Sequence, residues 1–523
     1  MKKKRNIKHV KVVIIIAVTL LLVATAVFFA VCYPCHFLWQ EQNQIFLNSG
    51  SWIAAYFGRP AWLSCMAGDW VTQFYIYPIA GPAIQTLAIA LCSALFAKAI
   101  AGIIRHKTVG WVLTGLFFIL MLSCSFSSSS TLAFFLSVAG GIGLGLIRVR
   151  VGMKTGRKAD LSPLLVPLSF WLFGFGALLT ALFVAVSELK SRQWPFALCA
   201  VIFAAAMPAV LRETYSLPYS KAILYPGIVK PSLPETKFEE RLAIADAFYM
   251  RHYDRTMQKA LDAENPDEFT AFYYYLSSAV KDSLPEHLLR YPVKSLGTLT
   301  TIGESTPLPV INMMNDLYFE LGDMTYAERA AMMRNVFSPR NRNVRMMRRL
   351  AEINLVSGDT LAARKYLGIL DRTFAYSGWS RRHQPGNMSE KAENEVVSRM
   401  ARSNKKDNIR LGDNCRHILL ELLESNPHNT VALDYLLCTD LLLKDMDTFK
   451  MDYDTYCMEK GSPRYKDLYQ QALTIYLAGT EAPEDEWQKY IVSPSIMEAF
   501  RQYSEKRGNP AFAGTYWYYF DRQ

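Results

Sequence analysis

Hydrophobic and polar positions divide this chain into two parts. Apolar runs of about 20 residues, the length of a membrane-spanning helix, occur only before Arg212. Later segments, such as Phe238 to Met250, mix charged and apolar positions at the spacing of amphipathic helices, and no sustained period-two alternation indicates strands. The predicted spans are Val12 to Val31, Pro82 to Ile104, Val109 to Phe126, Thr131 to Ile147, Leu164 to Val186 and Trp194 to Leu211.

This pattern predicts an all-α protein in three segments. Residues 1–211 form a polytopic transmembrane bundle of about six spans, with a long extracytoplasmic first loop at 32–78. Residues 212–236 are a linker, and residues 237–523 form a soluble α-helical domain. The first span is expected to be retained, because its apolar run is longer than that of a signal peptide and no small-residue cleavage site follows it.

Basic residues in the short loops predict the orientation, since Lys and Arg are retained in the cytoplasm. They are concentrated at the N-terminus, after the second span and after the fourth span: Lys2, Lys3, Lys4, Arg5, Lys8, Lys11, Arg105, Lys107, Arg148, Arg150, Lys154, Arg157 and Lys158. The N-terminus is therefore expected to be cytoplasmic. With six spans the C-terminal domain is also cytoplasmic, and a count changed by one reverses that side.

Composition agrees with a chain that is partly in lipid and partly in water. Hydrophobic residues make up 51% of the 523 positions, and the mean hydropathy is +0.08. The net charge of +11 lies largely in the retention loops and at Arg381 to Arg410. Anionic lipid headgroups are the expected partner of these charges, and nucleic acid is not required.

The soluble part contains turns typical of helical repeats. Gly322 and Asp323 end one predicted helix and begin the next, and Gly358 and Asp359 do the same 36 residues later. Small residues follow each turn, as in the tetratricopeptide repeat, which this pattern resembles. The residues that follow the two turns are Ala327, and Ala363 with Tyr366. A third copy, which lacks the glycine, comprises Asn426, Pro427, Asn429, Ala432, Leu436, Lys444 and Asp445. A stacked solenoid is the first interpretation and an irregular helical bundle is the alternative.

Two further segments of the soluble part have distinct compositions. Ser377 to Asp413 is rich in charge, Pro and Gly, and is expected to be an exposed loop. The aromatic residues near the C-terminus, from Phe512 to Phe520, are expected to pack on the helical domain, with a membrane or partner contact as the alternative.

The first loop is the expected place for extracytoplasmic chemistry. Its acidic residues are Glu41 and Asp69, the candidate general acid and base if the protein is an enzyme. Aromatic rings and amides beside them suit a sugar, and the candidate substrate-binding residues are Trp39, Gln42, Trp70 and Gln73. This layout is similar to membrane glycosyltransferases that use polyprenyl-phosphate sugars. The alternative is a set of interfacial helices with an aromatic belt.

Other chemistry-bearing motifs are weak. Cys32 and Cys35 form a CxxC pair, for which a disulfide that could involve Cys65 and a dithiol redox pair both stay open. No His and Cys spacing predicts a metal site, and no motif predicts a cofactor. The glycines Gly141, Gly143 and Gly145 lie inside an apolar span, so they indicate close helix packing rather than nucleotide binding.

The layout as a whole resembles an uncharacterised family of bacterial multi-pass inner-membrane proteins that carry a domain of unknown function. The resemblance rests on Phe37 to Phe46 with Glu41, Gln42 and Gln44, on Gly68 to Pro78 with Asp69 and Gln73, and on Gly514 to Phe520. It implies about six N-terminal helices and a helical C-terminal region, and no activity. The first functional hypothesis is a membrane-anchored scaffold whose repeats bind a protein or peptide. The second is an enzyme that acts on a lipid-linked sugar or another envelope precursor through the first loop.

Overall fold

The computed structural model describes residues 2–104, 106–152, 162–296, 306–404 and 414–522. Within these residues all regular secondary structure is helical, which confirms the predicted all-α class. The chain divides into two compact units. The first contains Met1–Glu239 and Ile369–Gly378, and the second contains Glu240–Gly368 and Trp379–Gln523. The short piece Ile369–Gly378 therefore belongs to the first unit, apart from the residues that precede and follow it in the sequence.

The first unit contains long apolar helices and several short ones. In chain order they are α1 (Lys2–Cys32), α2 (Pro34–Gln42), α3 (Gly50–Phe57), α4 (Trp62–Thr72), α5 (Ala80–Ile103), α6 (Lys107–Ser125), α7 (Leu132–Gly152), α8 (Leu165–Phe173), α9 (Gly176–Lys190), α10 (Trp194–Tyr215) and α11 (Tyr219–Ile223). The predicted first loop is thus mostly helical, and the predicted linker contains the end of α10 and all of α11.

Four segments in the described residues are long and apolar enough to cross a membrane. They are Val13–Cys32, Ala80–Ile103, Lys107–Ser125 and Trp194–Glu213, and they coincide with the first, second, third and sixth predicted spans. The fourth predicted span lies in α7, whose apolar part Leu132–Ile147 is shorter. The structure therefore supports membrane association, with the spans grouped before residue 216.

The fifth predicted span, Leu164 to Val186, is wrong as a single helix. The chain reverses at Gly174, so that α8 and α9 form a hairpin. The hydroxyls of Ser169 and Thr180 lie 2.7 Å apart, and Ser162 donates a hydrogen bond of 2.6 Å to Glu188. Residues this far apart in sequence would be well separated along one continuous helix, because each residue adds 1.5 Å.

Glycine permits this reversal for two reasons. The φ of Gly174 is +57°, in the left-handed region, and a Cβ there would lie 2.2 Å from the carbonyl oxygen of Tyr225. The sequence pattern did not reveal the turn, because apolar residues flank it on both sides and no charged residue interrupts the run. Hydropathy alone cannot distinguish one long helix from two short antiparallel ones.

Close packing of α7 against α9 confirms the role predicted for two of the three glycines. A Cβ at Gly141 would lie 2.2 Å from the carbonyl oxygen of Gly176, and one at Gly145 would lie 2.8 Å from the Cβ of Phe183. A Cβ at Gly143 would have no atom within 4 Å apart from the backbone of its own helix, so packing does not require glycine at this position. The hydroxyl of Thr180 also donates to the Gly141 carbonyl at 2.9 Å, as the small interface allows.

The second unit is a succession of amphipathic helices. In chain order they are α12 (Thr236–Tyr249, whose first turn belongs to the first unit), α13 (Tyr253–Leu261), α14 (Glu268–Val280), α15 (Leu284–His287), α16 (Leu308–Leu321), α17 (Met324–Phe337), α18 (Val344–Ser357), α19 (Thr360–Leu370), α20 (Ser377–Arg382), α21 (Glu390–Arg402), α22 (Cys415–Ser425), α23 (Thr430–Leu443), α24 (Met446–Tyr453), α25 (Asp467–Gly479), α26 (Glu484–Lys489), α27 (Pro494–Glu505) and α28 (Tyr516–Asp521). The predicted loop Ser377 to Asp413 contains α20 and α21, and its residues 405–413 lie outside the described residues.

The turns singled out in the sequence have the expected local geometry. Gly322 and Gly358 are left-handed, with φ of +84° and +80°. Asp323 caps α17 by accepting from the backbone N–H of Tyr326. In the third copy Lys444 takes the left-handed conformation without being glycine, and Asp445 caps α24. The Gly322 turn joins α16 to α17 and the Lys444 turn joins α23 to α24, and each of these two pairs of consecutive helices packs together.

The aromatic C-terminus packs within the second unit, as its sequence predicted. The indole N–H of Trp517 donates to the Gln471 carbonyl and to the Thr474 hydroxyl, each at 2.9 Å. The Tyr516 hydroxyl donates to the Leu441 carbonyl at 2.9 Å, and both aromatic side chains are buried. The last helix therefore contributes to the core of this unit.

Candidate functional site: the first loop and the inserted segment

The site residues predicted from sequence lie on two helices and one turn of the first unit. Trp39, Glu41 and Gln42 are on α2, Asp69 and Trp70 are on α4, and Gln73 begins the 3-10 turn that follows. All except Trp70 are buried. What they contact decides between a substrate site and a structural role, because a catalytic carboxylate needs access to a substrate.

Glu41 receives a hydrogen bond from a residue far along the chain. The hydroxyl of Tyr376 donates to its Oε2 at 3.0 Å, and only 2% of the Glu41 surface is exposed. Tyr376 lies in Ile369–Gly378, hereafter the inserted segment, which belongs to the same unit. The candidate acid therefore helps to hold a piece of the C-terminal half of the chain.

Two further hydrogen bonds bind the inserted segment to the first loop. The backbone N–H of Phe374 donates to Oε1 of Gln73 at 3.1 Å, and the N–H of Asn48 donates to the Arg372 carbonyl at 2.7 Å. Gln73, proposed from sequence as a sugar ligand, thus binds backbone. Three contacts spread over five residues of the segment fix its conformation.

The second candidate carboxylate has a different partner. The hydroxyl of Tyr56, on α3, donates to Oδ2 of Asp69 at 2.7 Å, and 5% of the Asp69 surface is exposed. Tyr56 is itself buried, so this contact ties α3 to α4. Glu41 and Asp69 are engaged separately, each by its own tyrosine, rather than facing a common open site.

A third carboxylate, not predicted from sequence, completes the attachment of the first loop. Glu239 accepts hydrogen bonds from the backbone N–H groups of Cys35 and His36 in the first turn of α2. A carboxylate at a helix N-terminus satisfies free amides and is favoured by the helix dipole. Nearby, the ring of Trp39 packs edge-on against Phe238 at 5.9 Å. Burial lowers the pKa of His36 to about 4, which makes it a weak base at neutral pH.

Sequence reasoning missed Glu239 and Tyr376 because both act at long range. A signal was present for Tyr376, since Phe374 and Tyr376 follow the end of an amphipathic helix without continuing its period. Two aromatic residues outside a helical pattern need a surface to cover them, but the sequence does not say which surface.

The second unit concentrates its charged groups in a buried network. Asp316 is fully buried and accepts hydrogen bonds from Arg345, Arg349 and the hydroxyl of Tyr273, at 2.8, 2.8 and 3.1 Å. Glu352 accepts hydrogen bonds from Arg251 and Arg348, each at 3.2 Å. Burial alone raises the pKa of Glu352, but Arg348, Arg251 and Arg349 outweigh it and lower the pKa to about 2. The network links α12, α14, α16 and α18.

Two buried carboxyl groups in the second unit, Asp440 and Asp452, share one arginine. Arg416 lies 2.8 Å from Asp440 and 2.5 Å from Asp452. Burial, together with the charge of Asp452, raises the pKa of Asp440 to about 7, although Arg416 lowers it. Both carboxyl groups are buried between α23 and α24, so the pair belongs to the helical core.

These observations define an all-helical, membrane-associated protein whose first loop binds a segment of its own C-terminal half. The chain belongs to a family of unknown function, DUF6057, which matches residues 8–523. This result confirms the coarser part of the resemblance inferred from the sequence, that the chain belongs to a family of unknown function. No curated protein and no solved structure matches the chain.

Proposed function

We propose that the protein is a membrane-anchored scaffold of the bacterial envelope that holds its C-terminal helical domain on the extracytoplasmic side of the inner membrane. The observation that carries this proposal is the hydrogen bond from Tyr376 to Glu41. It favours a scaffold over an enzyme, because the candidate catalytic group is buried and bound to the chain itself. Asp69, bound to Tyr56, supports the same choice.

The helix directions within the first unit support the extracytoplasmic placement. The side chain of Lys190, at the end of α9, donates to the carbonyl of Ile103, at the end of α5. The hairpin α8–α9 therefore begins and ends at the cytoplasmic end of α5. The fifth predicted span then enters the membrane and returns to the same side instead of crossing it. Because α10 crosses outwards after it, the number of membrane crossings becomes odd. The even count from sequence gave the opposite side.

The basic residues agree better with this topology than with six simple spans. Lys190 and Arg192, at the end of α9, are cytoplasmic in this topology, whereas six simple spans would leave them outside. The N–H of Glu235 points to the hydroxyl of Tyr33, just beyond α1, and Ser232 and Ser123 exchange hydrogen bonds near the serine turn. The chain thus leaves α10 and reaches Glu239 along the extracytoplasmic face.

The helices of the second unit supply the binding function in this proposal. Their left-handed, aspartate-capped turns resemble those of tetratricopeptide repeats, which present a concave surface to a protein or peptide. A buried charge network keeps several of these helices in register, as a rigid binding surface requires. The expected partners are the bilayer and a protein or peptide of the envelope.

Matched substitutions test the scaffold against the enzyme. Tyr376→Phe removes the hydroxyl that donates a hydrogen bond to Glu41. Glu41→Gln removes the negative charge of the carboxylate and keeps the shape of the side chain. We expect each change to weaken attachment of the inserted segment, Tyr376→Phe by about 1.5–3 kcal/mol because the acceptor is charged. Their effects should be less than additive, since both act on one hydrogen bond. Hydrogen exchange of residues 369–378 in the full-length protein measures this loss.

The same variants are then compared in a strain that lacks the gene. Glu41→Gln and Asp69→Asn should complement to the same extent as their tyrosine counterparts, Tyr376→Phe and Tyr56→Phe. If Asp69→Asn accumulates normally but is inactive while Tyr56→Phe is active, the carboxylate itself is required. That result would refute the scaffold proposal and favour acid–base chemistry in the first loop.

A further inference from the structure

Three aromatic rings from two distant parts of the chain form one row in the first unit, with exposed rings at its ends and the half-buried Phe74 between them. Trp70 packs edge-on against Phe74 with 5.5 Å between ring centroids, and Phe74 lies 5.1 Å from Phe374. Trp70 is 47% exposed and Phe374 is 52% exposed. Large aromatic side chains left uncovered side by side indicate a surface that meets something apolar.

Phe374 is exposed although hydrogen bonds hold the backbone around it in place. Its backbone N–H is held by Gln73, and Tyr376 two residues later is held by Glu41. The neighbouring Thr373 and Tyr376 are buried, so the segment turns Phe374 outwards while both flanks are fixed. The inserted segment thus extends the aromatic row that α4 begins.

The position of the row along the bilayer normal follows from α5, the candidate span that begins shortly after Phe74. Phe74 precedes the first residue of α5, Ala80, by only a short turn, and α5 is a candidate span of 24 residues. Between them Tyr77 is 50% exposed, and Ile79 is more exposed still. The row therefore lies at the end of a membrane span, where aromatic side chains are favoured between headgroups and acyl chains.

We propose that Trp70, Phe74, Tyr77 and Phe374 insert into the headgroup region of the bilayer, so that lipid as well as protein holds the inserted segment. The partner is a lipid surface, because the row is continuous with the start of a span, Phe74 and Phe374 supply apolar rings, and Trp70 and Tyr77 combine an apolar ring with a polar group. The leaflet rests on the proposed function, in which it is the outer one. The insertion itself does not depend on the side.

Photo-crosslinking in nanodiscs of phosphatidylethanolamine and phosphatidylglycerol tests this insertion. Benzoylphenylalanine replaces Phe374 in one full-length variant and Tyr77 in another, so that an aromatic ring stands in for an aromatic ring. Trp111, exposed on the span α6, is the positive control, and Tyr465, exposed in the second unit, is the negative control. Lipid adducts are expected at positions 374, 77 and 111, several-fold above position 465.

Two results would overturn the insertion. One is a pair of variants at 374 and 77 that give no more lipid adduct than 465 while 111 reacts normally. The other is a protein adduct, instead of lipid, at 374 in intact cells, which would assign the row to a protein partner. Because nanodiscs expose both leaflets, failure here is separate from failure of the proposed topology, which labelling in cells addresses.

Discussion

Replacing Asp316 by asparagine is expected to destabilise the second unit by about 3–5 kcal/mol, because the change leaves two buried arginines without their shared carboxylate. Arg345 and Arg349 are both buried and both donate to Asp316, so neither guanidinium can recover its lost partner from water. Asparagine keeps one side-chain oxygen, so the Tyr273 hydroxyl and the two guanidinium groups compete for a single acceptor. Hydrogen exchange of α14, α16 and α18 in the full-length protein measures the effect.

An exposed ion pair provides the control for Asp316. Glu498 pairs with Arg501 on the surface of α27 at 3.0 Å, and Glu498→Gln is expected to leave exchange rates unchanged, since solvent already screens that pair. If Asp316→Asn is as harmless as Glu498→Gln, the buried network does not hold these helices together. The rigid binding surface then loses its physical basis.

Replacing Gly141 by valine is expected to separate α7 from α9 and to cost about 3 kcal/mol or more, the upper range for forcing a side chain into a packed interface. The cause is steric, because the new Cβ would lie 2.2 Å from the Gly176 carbonyl oxygen. The Thr180 hydrogen bond to the Gly141 carbonyl would also be disturbed. Thermal unfolding in nanodiscs and the amount of protein in the membrane measure the loss.

Gly143→Val is a control on the same helix. A Cβ at Gly143 meets no other atom within 4 Å, so valine there should be tolerated with a change of at most about 0.5 kcal/mol. Equal losses at both positions would mean that helix propensity, rather than the contact of α7 with α9, sets the effect.

The sequence predicted those parts of the fold that depend on local pattern. Long apolar runs located α1, α5, α6 and α10, because hydropathy reports directly on the solvent around a helix. The Gly322 and Asp323 turn followed from residues that favour a left-handed end and a helix cap. Each of these predictions needed only residues within a few positions of one another.

Features that depend on long-range contacts could not be predicted in this way. The reversal at Gly174 is hidden in an apolar run, and its requirement for glycine comes from Tyr225, which approaches from elsewhere in the chain. Lys444 adopts a left-handed conformation that its residue type disfavours, so the third turn was predicted without the glycine that marks the first two.

For the candidate site, the sequence selected residues that form buried contacts, but it did not predict what they contact. Glu41, Asp69 and Gln73 were chosen as polar groups in an aromatic loop, and all three are buried hydrogen-bond acceptors. Their partners include a tyrosine and a backbone amide of the inserted segment, more than 300 positions away, as the Gln73 contact shows. Residue chemistry alone does not separate an acid that binds substrate from one that binds the chain.

The side of the membrane that holds the C-terminus is the most direct test of the scaffold account. A reporter active only outside the cytoplasm and one active only inside it are fused in turn to Gln523, with fusions at Ser128 and Gly156 as extracytoplasmic and cytoplasmic references. The account predicts that the Gln523 fusion behaves like that at Ser128, because the hairpin at Gly174 makes the number of crossings odd. A Gln523 fusion that is active only inside the cell, like that at Gly156, would contradict it.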